Sequence, residues 1–271
     1  MPWPTQLDVL LRPGEVRVTR RPLWLPSRGT GVVQTYPVSA PQGEEAWRAS
    51  VEVLGMALAE QPSARAVQIV VSDHFVRYAL VAWSDNLVAD AERLAFARLA
   101  LSEIYGSMAE GWVVSLDEQP AGQPSFACAI DLELLEMLRQ ISAACGLRLT
   151  AATPALAQRI NRHRAAFREP VFCLASLEPG RLTLAFHDDA GWLAVRTRRL
   201  NGNPLESLSG VLRQEAAAAG AADGGTLYMI ADGAASMPAF SLPNWSITRL
   251  DDGGAGRVIA ARPLPRMAAA E

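Results

Sequence analysis

The chain has 271 residues, half of them hydrophobic and a fifth charged, with a formal net charge of −3. That balance specifies folded lobes with ample core and argues against a disordered chain or a nucleic-acid binder. All 25 basic residues are arginine, so a Walker A lysine, a kinase strand lysine and Schiff-base chemistry are all excluded.

No apolar run approaches the roughly 20 residues of a membrane span. The opening Met1-Pro2-Trp3-Pro4 lacks the basic region and apolar core of a signal peptide, so none is expected. Cys128, Cys145 and Cys173 are widely spaced and odd in number. They suit buried free thiols rather than a metal site or a disulfide framework.

Residues 7–18 form an apolar run, a Pro-Gly turn at Pro13-Gly14 and an alternating run, which predicts a β-hairpin. Residues 31–38 read as a third strand. A helix follows over 44–60, where Trp47, Val51, Leu54 and Leu58 fall at helical spacing. Residues 66–71 suit a buried strand and 75–81 a further strand. A long helix is expected over 87–109, with Leu87, Ala91, Leu94, Leu101 and Ile104 on one face. Strands at 112–116 and 125–130 follow. Asp131 is the expected N-cap of a helix over 132–144 and Gly146 its stop. Residues 148–152 read as a strand, and Thr153-Pro154 as the cap and first turn of a helix running to about His163.

The opening pattern then recurs. Residues 173–184 repeat the apolar run, the Pro-Gly turn at Pro179-Gly180 and the alternating run. A third strand at 192–198, a helix at 204–219 and a strand at 226–230 complete the repeat. Beyond Asp232 the sequence is rich in Gly, Pro and Ala, with strands expected at 245–250 and 257–261. Each half thus runs strand, strand, strand, helix, strand. The first half carries an extra block at about 84–165.

This order resembles the duplicated core of the actin-like ATPase superfamily, an α/β fold of two ribonuclease H-like lobes. The inserted block makes it similar to the bacterial cytoplasmic assembly proteins of type IV pili and type II secretion. These are the PilM-like and GspL-like proteins, with the division protein FtsA more distant. The likeness rests on Val81-Ala82-Trp83-Ser84, the helix after it, the strands at 112 and 125, and the phrase Cys145-Gly146-Leu147. It implies a first lobe over 1–83 and about 150–170, an inserted α/β subdomain over 84–149, a second lobe over 171–262 and a tail over 263–271.

Members of the superfamily that hydrolyse ATP open each half with an Asp-x-Gly turn, glycine admitting the phosphates and aspartate holding magnesium and water. Here Asp8 matches the first aspartate, but Leu10 stands where the glycine belongs, and Pro13 before Gly14 removes an N–H donor. In the second half Leu174 replaces the aspartate, and Glu178 before Pro179 and Gly180 sets a negative charge where a phosphate would lie. Residues 228–235 have the rough shape of the superfamily's adenosine-site turn. The resemblance therefore implies a kept fold, a degenerate phosphate site, no bound cofactor and no metal.

It further implies a non-catalytic scaffold on the cytoplasmic face of the inner membrane. Such a scaffold binds the N-terminal cytoplasmic peptide of a bitopic assembly protein, with a motor ATPase as a second partner, and meets the membrane only through partners. An active ATPase of the same fold is the first alternative. A small α/β hydrolase or transferase using Ser72 and His74 is the second, although residues two apart on a strand rarely form a nucleophile–base pair and no Gly-x-Ser-x-Gly elbow is present. His74, Arg77 and Tyr78 are candidates for partner contact, since Arg with Tyr is a common hot-spot pairing. Arg159, Arg162, His163, Arg164 and Arg168 form a basic run, read first as a solvated helix end and second as a docking site in which Arg159 and Arg162 lead. His187-Asp188-Asp189-Ala190-Gly191 reads as a hairpin turn.

Overall fold

The two hairpins seen in the sequence seed two sheets of the same order. The computed structural model describes residues 5–22, 32–39, 46–87, 89–117, 119–200, 204–231 and 240–252. In the first sheet β1 (Thr5–Arg12) and β2 (Glu15–Pro22) form the hairpin, β3 (Val32–Pro37) lies on its outer edge, and β4 (Ala64–Val71) and β8 (Arg148–Pro154) continue on the other side. The order is β3-β2-β1-β4-β8. The second sheet comprises β9 (Phe172–Glu178), β10 (Arg181–Asp188), β11 (Gly191–Arg199), β12 (Gly225–Ala231) and β13 (Trp245–Asp251). Its order, β11-β10-β9-β12-β13, is the first order repeated strand for strand. In both sheets the helix between third and fourth strands reverses the chain, so the fourth strand pairs parallel to the first. The mixed α/β chain has a two-lobed, duplicated core.

Period two in the strands decides what each face meets. Leu7, Val9 and Leu11 of β1 are fully buried, and α1 (Ala46–Ala59) lays Trp47, Val51, Leu54 and Leu58 into the same core. These are the four residues whose spacing predicts the helix. On β9, Cys173 and Ala175 face the core beneath α5 (Pro204–Ala219), which adds Leu208, Leu212 and Ala216. The alternate residues Phe172 and Leu174 belong to the first lobe's core, together with Tyr228 and Ile230 of β12. One face of the second sheet is therefore an interlobe face. Continuing the alternation puts Ser176 and Glu178 on that face too, close to the hairpin tip.

A third sheet, β5-β7-β6, is built from β5 (Val76–Val81), β6 (Trp112–Leu116) and β7 (Ser125–Asp131), all antiparallel. β5 was expected in the first lobe, but its polar groups pair with β7, from Val76 opposite Ile130 to Val81 opposite Ser125. The small sheet thus begins earlier in the chain than the expected block. It also ends earlier, because α3 (Leu132–Ala144) packs on α1 and β8 of the first lobe. Asp131 caps α3 by accepting the Glu133 N–H at 2.8 Å, and Gly146 at φ 69° ends it, as expected.

α2 (Asp90–Tyr105) covers the small sheet with Ala97 and Leu101. It is shorter than expected, because Gly106 at φ 66° turns the chain into a 3₁₀ segment, Gly106–Gly111. The expected face holds only in part, for Ile104 is exposed. A second difference concerns Thr153. Parallel pairing with Val70 keeps it in β8, so α4 (Ala155–His163) starts after Pro154 and has no local side-chain cap. Among the described residues no helix is long and apolar enough to cross a membrane. The expected strand at 257–261, the turn at 232–235 and the tail at 263–271 lie outside the described residues.

Candidate functional site

The missing cap of α4 comes from a distant loop, and that contact opens onto the main polar site of the molecule. Asp73 follows β4 and is fully buried. Its Oδ1 accepts the Leu156 N–H at 3.0 Å, so a carboxylate sits on the first turn of α4 and satisfies a donor the helix leaves free. The same oxygen accepts from the Tyr78 hydroxyl at 2.5 Å, and Oδ2 accepts from Ser176 Oγ at 3.0 Å. Loop, small sheet, helix and second lobe therefore meet on one carboxylate.

Arg159 carries the network onward. Only 2% exposed, it donates from Nη1 to Ser176 Oγ at 2.6 Å and from Nε to Asp252 Oδ2 at 2.8 Å, and Nη1 lies 3.7 Å from Glu178 Oε1. Burial alone would lower its pKa, but Asp252, Glu178 and Asp73 together push it further up. Arg162, one turn on, pairs with Asp252 Oδ1 at 2.5 Å. These contacts tie the end of β13 to α4, and so one lobe to the other.

Glu178 closes the site at the second hairpin tip. Its Oε2 accepts from the Ser72 hydroxyl and from the Asp73 N–H, the latter at 3.1 Å. Beside it the Pro179 carbonyl accepts from the His74 ring at Nε2, 2.9 Å away, and Arg181 Nη1 donates to the Asp73 carbonyl at 3.0 Å. Burial first, then the charge of Asp73, pushes the Glu178 carboxyl up to about 7 against the pull of Arg159, Ser72 and Arg12. Burial also lowers the pKa of His74, aided by Arg181. The duplicated tips carry the same two charges in reverse order: Arg12-Pro13-Gly14-Glu15 in one, Glu178-Pro179-Gly180-Arg181 in the other.

The positions singled out in the sequence separate here. Asp8 lies in mid-strand, its Oδ2 held by Arg21 Nε at 2.6 Å, and Leu10 beside it lines a cleft of about 430 Å³. Burial raises the pKa of Asp8, with Arg21 and Arg162 opposing. That cleft lies on the open face of the first sheet, with Arg17, Thr35, Arg162 and Asp252 around it. Leu174 is core, Pro13 and Gly14 form the first tip, and Gly180 takes φ 74° in the second. Ser72 and His74 do not form a nucleophile–base pair, because the Ser72 hydroxyl donates to Glu178 while the imidazole reaches Pro179. Of the expected partner-contact residues, Tyr78 is buried in the network, which removes it from any docking surface, while Arg159, almost wholly enclosed by its ion pairs, forms part of the cleft wall beside Arg162. Arg77 stays accessible, near the Trp112 ring, and Arg162 lines the cleft. The expected turn at 188–191 forms, with Asp188 Oδ1 accepting the Ala190 N–H at 2.8 Å.

Sequence reasoning saw no more than a polar turn at Asp73 and gave Ser176 and Asp252 no role. Ser176 lies 103 residues from Asp73 and Asp252 lies 93 from Arg159, and no local spacing signals such contacts. Among the described residues no cluster of His, Cys, Asp and Glu has the arrangement of a metal site.

No family model and no curated protein sequence matches the chain. Solved structures do. The cytoplasmic domain of EpsL, an inner-membrane component of the type II secretion system of Vibrio cholerae, is similar over 94% of this chain and 92% of its own, at 12% identity and a TM-score of 0.54. The PilM-PilN type IV pilus biogenesis complex matches over 84% and 82%, at 14% identity and a TM-score of 0.63. A Bacteroides thetaiotaomicron protein of unknown function with an actin-like ATPase fold matches over 83% and 81%, at 11% identity and a TM-score of 0.56. Together with the repeated sheet order, these likenesses establish that the chain has the actin-like ATPase fold.

Proposed function

We propose that the chain is a non-catalytic platform of a type IV pilus or type II secretion-like assembly. The observation that carries this reading is the closed interlobe junction. Where the two hairpin tips converge, protein side chains take up the donors, and Glu178 presents a carboxylate in place of the free N–H groups that phosphates need. Asp8, the one candidate for holding magnesium, is held by Arg21. The small sheet β5-β7-β6 serves as the inserted subdomain, from about residue 76 to 131.

In this reading the protein works on the cytoplasmic face of the inner membrane, held there by its partners. It receives the N-terminal cytoplasmic segment of a bitopic membrane protein, and a motor ATPase is a second partner. The cleft on the open face of the first sheet, with Arg162 in its wall, is the assigned seat. Among the described residues β3 is the edge strand that borders it, with Val32 and Val33 70% and 51% exposed, an edge an incoming segment would extend. His74 and Arg77 are the remaining assigned contacts.

The test is calorimetry with a synthetic peptide covering the N-terminal cytoplasmic segment of a bitopic pilus or secretion assembly protein from the same genome, together with an ATP turnover assay in magnesium. Saturable peptide binding that weakens at least tenfold in Arg162→Ala, with no turnover above buffer, is expected. Magnesium-dependent hydrolysis abolished by Asp8→Ala would instead establish the active ATPase, and absence of peptide binding would remove the platform reading.

A further inference from the structure

The hairpin of β10 and β11 carries arginines on both faces, and the two faces treat them differently. Arg196 and Arg198 lie opposite Leu184 and Leu182 on the face beneath α5, and they share the Glu215 carboxylate at 3.8 and 2.6 Å. On the other face Arg181 and Arg199 are direct cross-strand partners, with Cα atoms roughly 5 Å apart in such a pair. Like charges set opposite one another are unfavourable, and a carboxylate ordinarily offsets them. Among the described residues these two have none. Arg181 donates only to the Asp73 backbone carbonyl, and its Nε has no acceptor. Arg77 of β5, which packs against β11, adds a third guanidinium. Its Nη1 donates to the His74 and Val76 carbonyls at 3.3 and 3.2 Å, and it stands 5.9 Å from the Trp112 ring. Burial lowers the Arg181 pKa, and the charges of Arg77 and Arg199 lower it further against the pull of Asp73 and Glu178. Those two carboxylates are turned into the junction, where Tyr78, Ser176 and Ser72 donate to them.

We propose that Arg77, Arg181 and Arg199 form a docking face for an acidic segment of a partner protein, one that carries two or more carboxylates beside an apolar side chain. The unmatched charge is local, because the chain as a whole is at −3. Arg199 is exposed and the other two are half-buried, so the face is open to a partner. The guanidiniums come from strands of two different sheets, which spreads them along the seam between β5 and β11. A row of carboxylates matches that spread better than one small anion does, and each arginine fork can take a carboxylate through paired hydrogen bonds. Trp112 beside Arg77 supplies the flat apolar surface that accompanies arginine at protein contacts. The inference rests on the platform reading for there being a partner, and it gives the chemistry of that partner's contact.

Fluorescence anisotropy with the full chain tests it, the probe being a short labelled peptide of alternating Glu and Ala around a central Phe. Saturable binding is expected, weakened severalfold in Arg199→Gln and at least tenfold when Arg181→Gln is added. Arg213→Gln, which removes an exposed charge from α5 across the sheet, should bind as the parent chain does. The same peptide with Gln in place of Glu should not bind. Arg199→Gln should keep or slightly raise the parent Tm, because it relieves the like-charge pair, so its weaker binding cannot be a folding defect. Equal binding by the parent chain and the double variant, or an equal loss in Arg213→Gln, would overturn the proposal. Arginine-dependent sedimentation with phosphatidylglycerol vesicles, without peptide binding, would overturn it in favour of a lipid surface. Arg162→Ala, which tests the platform reading, should leave binding of this peptide unchanged, so the two readings fail separately.

Discussion

Asp73 shows how much a single side chain can organise. One carboxylate, with no exposure to solvent, accepts from Tyr78, Leu156 and Ser176, which belong to three different elements, β5, α4 and β9. Replacing it by alanine strands a hydroxyl, a helix-terminal N–H and a serine, and removes one of the three negative charges around Arg159. Asp73→Ala should therefore cost about 3–5 kcal/mol in urea unfolding. Asp73→Asn keeps one carbonyl acceptor for Tyr78 and Leu156 and should cost only about half as much. A cost for Asp73→Ala below about 1 kcal/mol would show that the network is not cooperative. The same residue marks a limit of reading sequence. Ser72-Asp73-His74 stands out as a polar break between strands, but its meaning lies in Ser176 and Glu178, more than a hundred positions on. Arg159 reads as one member of a basic run, because nothing within its own helix discloses Asp252 or Ser176.

At the scale of elements, alternation and helical spacing made most of the architecture legible. The duplicated hairpin, the face of α1 carried by Trp47 and Leu54, and the Asp131 and Gly146 boundaries of α3 all follow from local chemistry. Sheet membership did not follow, since β5 is a plausible neighbour of β4 until its pairing with β7 is known. The hairpins carry a further contrast. Both end in Pro-Gly, but Gly180 adopts φ 74° with His74 alongside, while Gly14 lies outside the left-handed region and has open space where a Cβ would go. Gly180→Ala should cost about 1–2 kcal/mol, and Gly14→Ala should be neutral within about 0.5 kcal/mol. Matched unfolding curves check this. Equal costs would mean that the two tips are conformationally equivalent, which the backbone contradicts.

Across the whole molecule, a shared apolar face and a buried ionic junction make the lobes one cooperative unit. Phe172, Leu174, Tyr228 and Ile230 lie in the first lobe's core, and Arg159 joins Asp252 to Ser176 above them. Such a unit should unfold in a single transition whose stability carries the signature of Glu178. Its carboxyl is raised by burial and by Asp73 from 4.5 to about 7, so the native chain holds a proton that the unfolded chain has lost at intermediate pH. The slope of stability with pH is then negative in that window. The contribution is complete below about pH 4.5 and disappears as pH rises through 7, a loss on the order of 1–3 kcal/mol. Glu178→Gln cannot titrate and lacks this slope. Urea unfolding of both chains at steps from pH 5 to 8, followed by tryptophan fluorescence and far-ultraviolet dichroism, isolates the effect. The parent chain should lose stability relative to Glu178→Gln as pH rises, with both probes coincident at every step. A flat difference would place the proton elsewhere in the junction, and separated probes would mean that the ionic contacts join two lobes that fold independently.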